Sequence, residues 1–263
     1  MASRADKYKL YLESVQEPDH EVSFMNRVYR SAYGSRPEIL REDFCGTFAV
    51  CCSWVKSKSS RQAIGVDIDP EPLTWGREKI LSTIGPKAQA RVQLLQEDVR
   101  SVQGPKADVL AAQNFSFCIF KTRQDLGTYF RAAYQNLKRK GVFVLDIMGG
   151  PETFEEDHED VHKHKGFKYV WDQHRFDPIT HHCTYFIHFR FKDGSTLNRA
   201  FQYDWRLWTL PEIRELLIEA GFERADVYWE DTDKETGEGT DVYRRREHAE
   251  SDPAWIAYVV GVK

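Results

Sequence analysis

Apolar residues take on a regular order from residue 39 onward, where short apolar runs alternate with segments of helical spacing. The runs are continuous, which is typical of strands buried on both faces, and they lie at 39–40, 63–66, 92–95, 107–112 and 141–147. Between the last two runs, Leu126, Phe130, Ala133 and Leu137 recur every three or four residues. This spacing predicts an amphipathic helix, and Gly141 is predicted to end it.

Three more helices are predicted from the same kind of pattern. Two of them fill the gaps between the first apolar runs, over 49–55 and 70–80. The third begins at Thr209, because a threonine followed three residues later by Glu212 is a capping-box signal, and Gly221 ends it. Strands that alternate with helices form a parallel sheet with helices on both faces.

The C-terminal part of the chain completes this sheet. Strands are predicted at 227–229 and 255–260, and the polar stretch 231–252 between them is predicted to be a mobile loop. Together with the five earlier runs, these strands give the expected fold class. It is an α/β fold with a seven-stranded, mostly parallel sheet and helices on both of its faces.

Residues 151–208 interrupt the alternation and are predicted to form an antiparallel β insertion after the fifth strand. An acidic run at 152–160 opens the segment and predicts a solvated loop. Three β-type stretches follow at 167–175, 185–192 and 197–204, and the turn signal Lys192-Asp193-Gly194-Ser195 joins the last two. We therefore expect a helical cap at 1–38 and one domain at 39–263 that contains the insertion.

Charge and composition argue against several classes of protein. The 37 basic and 41 acidic residues give a net charge of −4, which argues against a broad basic face that grips nucleic acid. No apolar run approaches the roughly 20 residues that span a bilayer, and the first residues lack the apolar core of a signal peptide. We expect a soluble, cytoplasmic protein.

The potential metal ligands do not form a recognisable site. Five cysteines without a C-x-x-C pair predict neither a zinc site nor a disulfide framework. His181 and His182 are neighbours and would face opposite ways in a strand, and His174 and His188 are separated from them in the sequence. No metal is therefore expected.

A loop with one central glycine follows the first strand, in the segment Glu42-Asp43-Phe44-Cys45-Gly46-Thr47-Phe48. A residue without a Cβ lets the backbone approach a ligand closely, and Gly46 meets this need. The loop resembles the first motif of class I S-adenosylmethionine-dependent methyltransferases, an acidic residue followed by a G-x-G-x-G loop. The resemblance puts Glu42 at the acidic position and Gly46 at the central glycine. Phe44 and Phe48 stand at the outer glycines, so we expect the loop to follow a somewhat different path.

Asp67 ends the second strand, within Gly65-Val66-Asp67-Ile68-Asp69-Pro70. A carboxylate at this position, about twenty residues beyond the glycine loop, can accept hydrogen bonds from both hydroxyls of a ribose. The same geometry serves NAD, so these two motifs leave the cofactor open. Asp69, two residues later, is predicted instead to cap the helix that follows.

Two further segments, at the ends of the third and fourth strands, favour S-adenosylmethionine. Glu97-Asp98-Val99 resembles the third motif of these methyltransferases, which implies that Asp98 accepts from the adenine amino group and that the Val99 amide faces a ring nitrogen. Gln113-Asn114-Phe115-Ser116-Phe117 lies where the family places residues beside the methionine part and the transferred methyl.

The four motifs together cover about residues 39–148. The resemblance implies a Rossmann-like fold, S-adenosylmethionine as the cofactor and methyltransferase activity. Arg41 is a further candidate, because a guanidinium could pair with the cofactor carboxylate, although an ordinary salt bridge is the alternative. The predicted cofactor-binding residues are Arg41, Glu42, Gly46, Asp67, Ile68, Asp98, Val99, Asn114 and Phe115.

The acceptor is expected to bind outside this cofactor region. In this class the sulfonium already activates the methyl group, so transfer needs chiefly a desolvated nucleophile held close to it, and no catalytic residue is assigned. The antiparallel insertion resembles the lid of small-molecule N- and O-methyltransferases. The predicted acceptor-binding residues are Tyr29, Trp171, Asp204 and Arg206. The alternative role of each aromatic ring is to pack the inserted sheet.

Three functions fit these patterns. The first is a methyltransferase acting on a small-molecule N or O acceptor. The second is an RNA or protein methyltransferase. Only the short basic clusters at 163–168 and 244–246 support binding of RNA. The third is a non-catalytic binding module, which Phe44 and Phe48 in the glycine loop suggest. The sequence leaves the acceptor and the oligomeric state open.

Overall fold

The computed structural model describes residues 1–232 and 239–263. Within them the helices are α1 (Lys7–Val15), α2 (Pro18–Tyr33), α3 (Ala49–Ser57), α4 (Pro70–Lys79), α5 (Pro86–Gln89), α6 (Arg123–Asn136) and α7 (Leu210–Glu219). The strands are β1 (Ile39–Asp43), β2 (Gln62–Asp67), β3 (Val92–Gln96), β4 (Ala107–Ala112), β5 (Leu137–Gly149), β6 (His158–Lys163), β7 (Phe167–Phe176), β8 (His182–Phe191), β9 (Thr196–Arg206), β10 (Arg224–Thr232), β11 (Gly239–Arg245) and β12 (Trp255–Val262). Among these helices, none is long and apolar enough to cross a membrane.

The main sheet has the strand order β11-β10-β12-β5-β4-β1-β2-β3. Strands β1 to β5 pair in parallel, and β12 lies antiparallel between β5 and β10. The strand order reverses between β1 and β4, so the loops after these two strands diverge and leave a crevice at their carboxyl ends. The predicted fold class, a mostly parallel sheet with an antiparallel insertion, is confirmed.

Helices cover both faces of this sheet. Helices α2 and α3 pack on one face, where Met25, Leu40 and Trp54 are fully buried. Helices α6 and α7 pack on the other face around Phe130 and Leu217. Each helix buries one apolar stripe, and this burial is the main source of its stability.

The residues after β5 form a second sheet in the order β6-β7-β8-β9, in which all neighbours are antiparallel. Side chains of β8 alternate between its two faces, and residues 186–189 are all buried, so both faces are covered over this part of the strand. Ile187 and Phe189 belong to a small core with Leu10 and Tyr11, which lie on α1. The N-terminal helix therefore packs on the inserted sheet, whereas α2 packs on the main sheet.

Several boundaries differ from the sequence predictions. The amphipathic helix α6 ends at Asn136, and Gly141 lies inside β5 instead of ending the helix. The acidic run at 152–160 is only partly a loop, because pairing with β7 makes its last residues the start of an edge strand. Between β10 and β12, the predicted loop contains β11, an eighth strand in the main sheet that pairs with β10. Residues 233–238 of that predicted loop lie outside the described residues.

Candidate active site

The glycine loop after β1 keeps a glycine-type backbone although two of its glycines are replaced. The φ angles of Phe44, Gly46 and Phe48 are 57°, 51° and 49°, all in the left-handed region. A side chain in this region costs roughly 1–2 kcal/mol per residue. The two phenylalanines therefore adopt the left-handed conformation that glycine usually supplies.

Burial of the two rings offsets this cost. The Phe44 ring packs 5.4 Å from the ring of Tyr129, centroid to centroid, and Phe48 is fully buried. Phe48 lies against α4 at Gly76, where an added Cβ would stand 2.6 Å from the ring and 2.5 Å from the Thr47 carbonyl oxygen. The close approach of helix and loop that the third glycine of the motif usually allows is provided here by Gly76.

Asp67 connects this loop to the end of β2. Its carboxylate accepts from the backbone N–H of Gly46 at 2.7 Å and from that of Asp69 at 2.9 Å. Burial raises the pKa of Asp67, and the two amide donors oppose the increase. Asp69 itself caps α4 by accepting from Glu71 N–H.

Space for a ligand lies in front of these groups. A Cβ added at Gly46 would meet no atom within 4 Å. Ile68, the residue after Asp67, exposes 68% of its surface at the same edge of the sheet, an unusual exposure for an isoleucine. A polar carboxylate, an open backbone and an apolar surface therefore adjoin one another.

The third motif has one exposed and one buried member. The Asp98 carboxylate forms a bidentate pair with Arg100, and this hydrogen bonding lowers the pKa of Asp98. Val99 is buried, and its carbonyl oxygen lies 3.4 Å from an Nη atom of Arg41. To bind an adenine amino group, the Asp98 carboxylate would have to accept hydrogen bonds from that group and from Arg100 at the same time.

The turn after β4 is held by a carboxylate that the sequence analysis missed. Asn114 and Phe115 both have left-handed φ angles, 55° and 56°. The Asp146 carboxylate on β5 accepts from both of their amides, at 2.7 and 2.9 Å. An aspartate inside the apolar stretch 142–147 was the available signal, because a buried carboxylate in a strand needs donors nearby.

Two buried carboxyl groups, Glu42 and Asp146, and the half-buried Glu21 lie behind this edge of the sheet. Burial raises the pKa of Glu42 and the pKa of Asp146 to about 7 each, and it does the same to Glu21 on α2. Glu42 accepts from Cys51 N–H in the first turn of α3. Glu21 accepts from the hydroxyl of Tyr258 and from the amide of Gln113. A cationic group entering from the crevice would favour the ionised form of these acids.

Two predicted residues lie away from the crevice. Arg41 is 1% exposed and its Nε donates to Asp43 at 2.6 Å, within the core under α6, so its position does not support a pair with a cofactor carboxylate. Tyr29 donates to the carbonyl of Lys140, at the amino end of β5. That end is the edge of the sheet opposite the crevice, so the position of Tyr29 does not support acceptor binding.

A cavity of about 930 Å³ opens beside the crevice. The turn after β4 and the end of β5 form its floor, with Asn114, Phe115 and Met148. The N-terminal helix α1 and the inserted sheet enclose it, and polar residues of β6 lie at its rim. Its aromatic members are Tyr11, Phe115, Tyr169, Trp171, Tyr203, Trp205 and Trp255.

The inserted sheet supplies one wall of rings. The rings of Tyr203 and Trp205 pack at a tilt with their centroids 4.4 Å apart, and the Trp171 ring lies 5.7 Å from that of Tyr203. Phe115 lies 6.2 Å from Trp205 and joins the wall to the cofactor edge. Trp171 thus lines the cavity, where the sequence analysis expected an acceptor.

Asp204 and Arg206 are on the other face of the same strand. Side chains alternate along β9, so Asp204 and Arg206 point to the face opposite that of Tyr203 and Trp205, away from the cavity. Asp204 pairs with Lys121 at 2.8 Å, and Arg206 pairs with Glu212 and lies over the Trp208 ring. Their positions do not support the predicted role in acceptor binding.

Helix α1 lies across both regions. Lys7 pairs with Glu71 at 2.8 Å, and Trp75 Nε1 donates to Asp6 at 2.8 Å, which ties the helix to α4 beside Asp67. Tyr11 packs on Phe201 of the inserted sheet. The helix therefore covers the crevice. The sequence predicts a helical cap at 1–38 but not which of its helices lies there.

The strand order, the crevice at the β1 and β4 ends and the antiparallel insertion define the Rossmann-like fold of S-adenosylmethionine-dependent methyltransferases. Structures with this fold cover nearly the whole chain. CalS10, an amino pentose methyltransferase from Micromonospora echinaspora solved with S-adenosylmethionine bound, is 17% identical, with a TM-score of 0.68 over 98% of this chain and 97% of its own. The sugar N-methyltransferase KedS8 from Streptoalloteichus is 20% identical, with a TM-score of 0.66 over 98% and 93%.

A relative is also found by sequence. YqeM of Bacillus subtilis, which is named as a methyltransferase, is 22% identical over 205 residues, or 73% of this chain and 76% of its own length. No family model matches the chain. These likenesses confirm the predicted fold.

Proposed function

We propose that the chain is an S-adenosylmethionine-dependent methyltransferase that acts on a small-molecule N or O acceptor. The observation that carries the proposal is the junction of two sites at one sheet edge. A crevice with ribose-binding chemistry at Asp67 opens beside an aromatic cavity, and Phe115 lies between them. The neighbours CalS10 and KedS8, which methylate sugars, support the choice of a small molecule.

The residues present fit the cofactor. The open space at Gly46 leaves room for a ligand to approach the backbone, and the Asp67 carboxylate lies at the end of β2, where it can accept from ribose hydroxyls. Exposed Ile68 offers an apolar surface to a base. Gln113 is buried and its Oε1 has no hydrogen-bond partner among the described residues, so an acceptor for an ammonium group is available beside Glu21.

When bound, the cofactor supplies a methyl group on a positively charged sulfur. The chain itself contributes position and exclusion of water. Asp146 fixes the amides of Asn114 and Phe115 and thus the backbone between the two sites. Aromatic walls desolvate the acceptor, and α1 closes the crevice from above, so the nucleophile is held near the methyl group without competing water.

On this proposal, residues 151–208 act as the acceptor lid of a domain at 39–263, with 1–38 as a cap.

The experiment that tests the proposed function has two parts. Calorimetry measures binding of S-adenosylmethionine and of NAD to the purified chain. Tritiated S-adenosylmethionine is then incubated with a fractionated cell extract, and label is expected in the metabolite fraction. Binding of NAD alone, or label in RNA without label in metabolites, would contradict the proposal.

A further inference from the structure

The cavity wall contains one buried polar group with an unused bonding position. Gln173 on β7 lines the cavity and is 8% exposed. Its Nε2 donates to the Glu152 carbonyl oxygen at 3.3 Å. Its Oε1 is buried and has no hydrogen-bond partner among the described residues. Buried acceptors in folded proteins almost always have a donor, so this oxygen indicates a ligand contact.

The backbone around Gln173 fixes the direction of its side chain. The register between β7 and β8 shifts directly after the pair Gln173 and Tyr185, which is a β-bulge. Bulges occur beside active sites, where they redirect a side chain. The Tyr185 hydroxyl donates to the Thr153 carbonyl at 2.7 Å, so both side chains bind the turn after β5. Because the amide nitrogen of Gln173 is committed to this turn, its oxygen is the polar atom of this lining residue that has no partner among the described residues.

The partner of this oxygen must be a hydrogen-bond donor on the acceptor molecule. Amines and hydroxyls both qualify, and the rest of the lining distinguishes them. The carboxylates and imidazoles that line the cavity belong to the rim, to the turn after β5 or to β10, and they are Glu152, His158, Asp160, His162, His164 and Glu230. Of these, only His164 and Glu230 are even partly buried, and the Glu230 carboxylate already accepts from the Asp241 backbone amide.

The floor, where the methyl group would be presented, holds an amide and apolar side chains, namely Asn114, Phe115 and Met148. A hydroxyl needs a base to take its proton during transfer, because its pKa lies far above neutral. A neutral amine needs none, since it attacks with its lone pair.

Resting on the proposed function, we propose that Gln173 Oε1 accepts a hydrogen bond from an N–H of the methyl acceptor and thereby selects amines. The amine nitrogen forms a bond to the methyl carbon while the bond between that carbon and the sulfur breaks. The electron pair of the broken bond stays on the sulfur, which becomes a neutral thioether. The methylated ammonium then releases its proton to solvent. Gln173 is a substrate-binding residue in this step and exchanges no proton.

The test uses tritiated S-adenosylmethionine with a fixed set of probes. These are amino sugars, nucleotide-activated amino sugars and aromatic amines, each paired with its hydroxyl counterpart. The variants are Gln173→Met, which keeps the shape and removes the acceptor, and Gln173→Glu, which keeps an acceptor oxygen. Gln202→Met is the matched control, because Gln202 is exposed on the neighbouring strand β9 and does not line the cavity. Thermal unfolding checks that each variant is folded.

We expect label in amines and little in their hydroxyl counterparts. Gln173→Met is expected to raise the KM for the best amine about tenfold with a smaller effect on kcat, as loss of one hydrogen bond predicts. Gln173→Glu should lie closer to the wild type, and Gln202→Met should equal it. If Gln173→Met does not fold, Gln173→Leu, which also lacks the acceptor oxygen, takes its place with the same expected rise in KM.

Four results would contradict the inference, and they distinguish its failure from failure of the proposed function. Label in the hydroxyl counterparts, or an unchanged KM in Gln173→Met, contradicts the role of Gln173 while methyl transfer stands. Cofactor binding without methylation of any amine probe contradicts amine selection. Failure to bind S-adenosylmethionine contradicts the proposed function itself.

Discussion

The crevice proposed for the cofactor and the cavity proposed for the acceptor share an edge of the main sheet but are built in different ways. In the crevice the important groups are backbone amides, and the carboxylates that accept from them set their direction. Asp67 holds Gly46, and Asp146 holds Asn114 and Phe115. In the cavity the important groups are side chains from α1, β5, β7 and β9, which meet only after the inserted sheet folds over the crevice.

Because of this difference, we expect substitutions in the crevice and substitutions in the cavity to have different effects. Changes in the crevice strain the backbone of the main sheet, so they affect folding and cofactor binding together. Changes in the cavity replace rings or amides on a separate sheet, so they can alter acceptor choice while the main core stays intact. The following predictions test that separation, beginning with the largest expected effect.

The first prediction concerns the contact between α4 and the glycine loop. Gly76→Ala places a Cβ 2.5 Å from the Thr47 carbonyl oxygen and 2.6 Å from the Phe48 ring, and a backbone oxygen cannot move away easily. We expect the free energy of unfolding to fall by about 3 kcal/mol. Denaturant unfolding measures it.

Gly127→Ala is the matched control, since Gly127 also lies within a helix and its new Cβ would meet Arg131 at 3.3 Å, the end of a flexible side chain. Alanine is the better helix former, so we expect this variant to be as stable as the wild type or up to about 1 kcal/mol more stable. Equal losses in the two variants would show that the loop contact at Gly76 has no special role.

The second prediction concerns the carboxylate of the crevice. Asp67→Ala is expected to weaken S-adenosylmethionine binding by about 2 kcal/mol, because charge-assisted hydrogen bonds to the ribose and to Gly46 are lost. Calorimetry measures the affinity. Asp69→Ala is the control, because the exposed Asp69 carboxylate caps α4, and the amide that Asp69 donates to Asp67 belongs to the backbone, which the substitution keeps. Similar affinities in the two variants would remove Asp67 from the proposed site.

The sequence is sufficient to predict the crevice because its motifs are local. Gly46 and Asp67 each follow a strand directly, so their place at the sheet edge follows from the alternation of strands and helices. Asp146 was not predicted, since its partners Asn114 and Phe115 are about thirty residues away and are reached only through strand pairing.

The cavity was predictable only in outline. Aromatic residues in the insertion indicated an acceptor wall, but choosing Asp204 and Arg206 over Tyr203 and Trp205 required knowing which face of β9 is inward. The alternation along a strand divides its side chains into two sets, but it does not show which set faces the cavity. Nothing in the sequence pointed to Gln173. Its inferred role depends on a side-chain oxygen that has no hydrogen-bond partner among the described residues, which only the structure shows.

The third prediction concerns the buried acid of the first motif. Burial raises the pKa of Glu42 from 4.5 to about 7 in the folded chain. The folded state therefore retains a proton that the unfolded state releases above its own pKa, so the contribution of Glu42 to stability is present at low pH and is lost as pH rises towards about 7. Glu42→Gln carries no charge and can still accept from Cys51 N–H. As pH rises from 5 to 8, we expect it to gain about 2 kcal/mol of stability relative to the wild type.

Thermal unfolding of the ligand-free chain across this pH range measures the difference. Glu97→Gln, at an exposed position in the third motif, should follow the wild type at each pH. A pH dependence in Glu42→Gln that matches the wild type would mean that Glu42 is ionised in the folded chain throughout.

The last and smallest prediction concerns the outer face of the inserted sheet. Asp204 is exposed and its ion pair with Lys121 faces solvent, so Asp204→Asn should change the free energy of unfolding by less than about 0.5 kcal/mol. Because Asp204 points away from the cavity, the KM for the acceptor should also stay at the wild-type value. Trp171→Ala, on the inner face, should raise this KM, since it opens the wall beside Tyr203 and Trp205. Steady-state kinetics with the methylated probe compares the two variants. An increase in KM for Asp204→Asn as large as that for Trp171→Ala would mean that the acceptor also contacts the outer face, and the two regions could then not be separated as their geometry suggests.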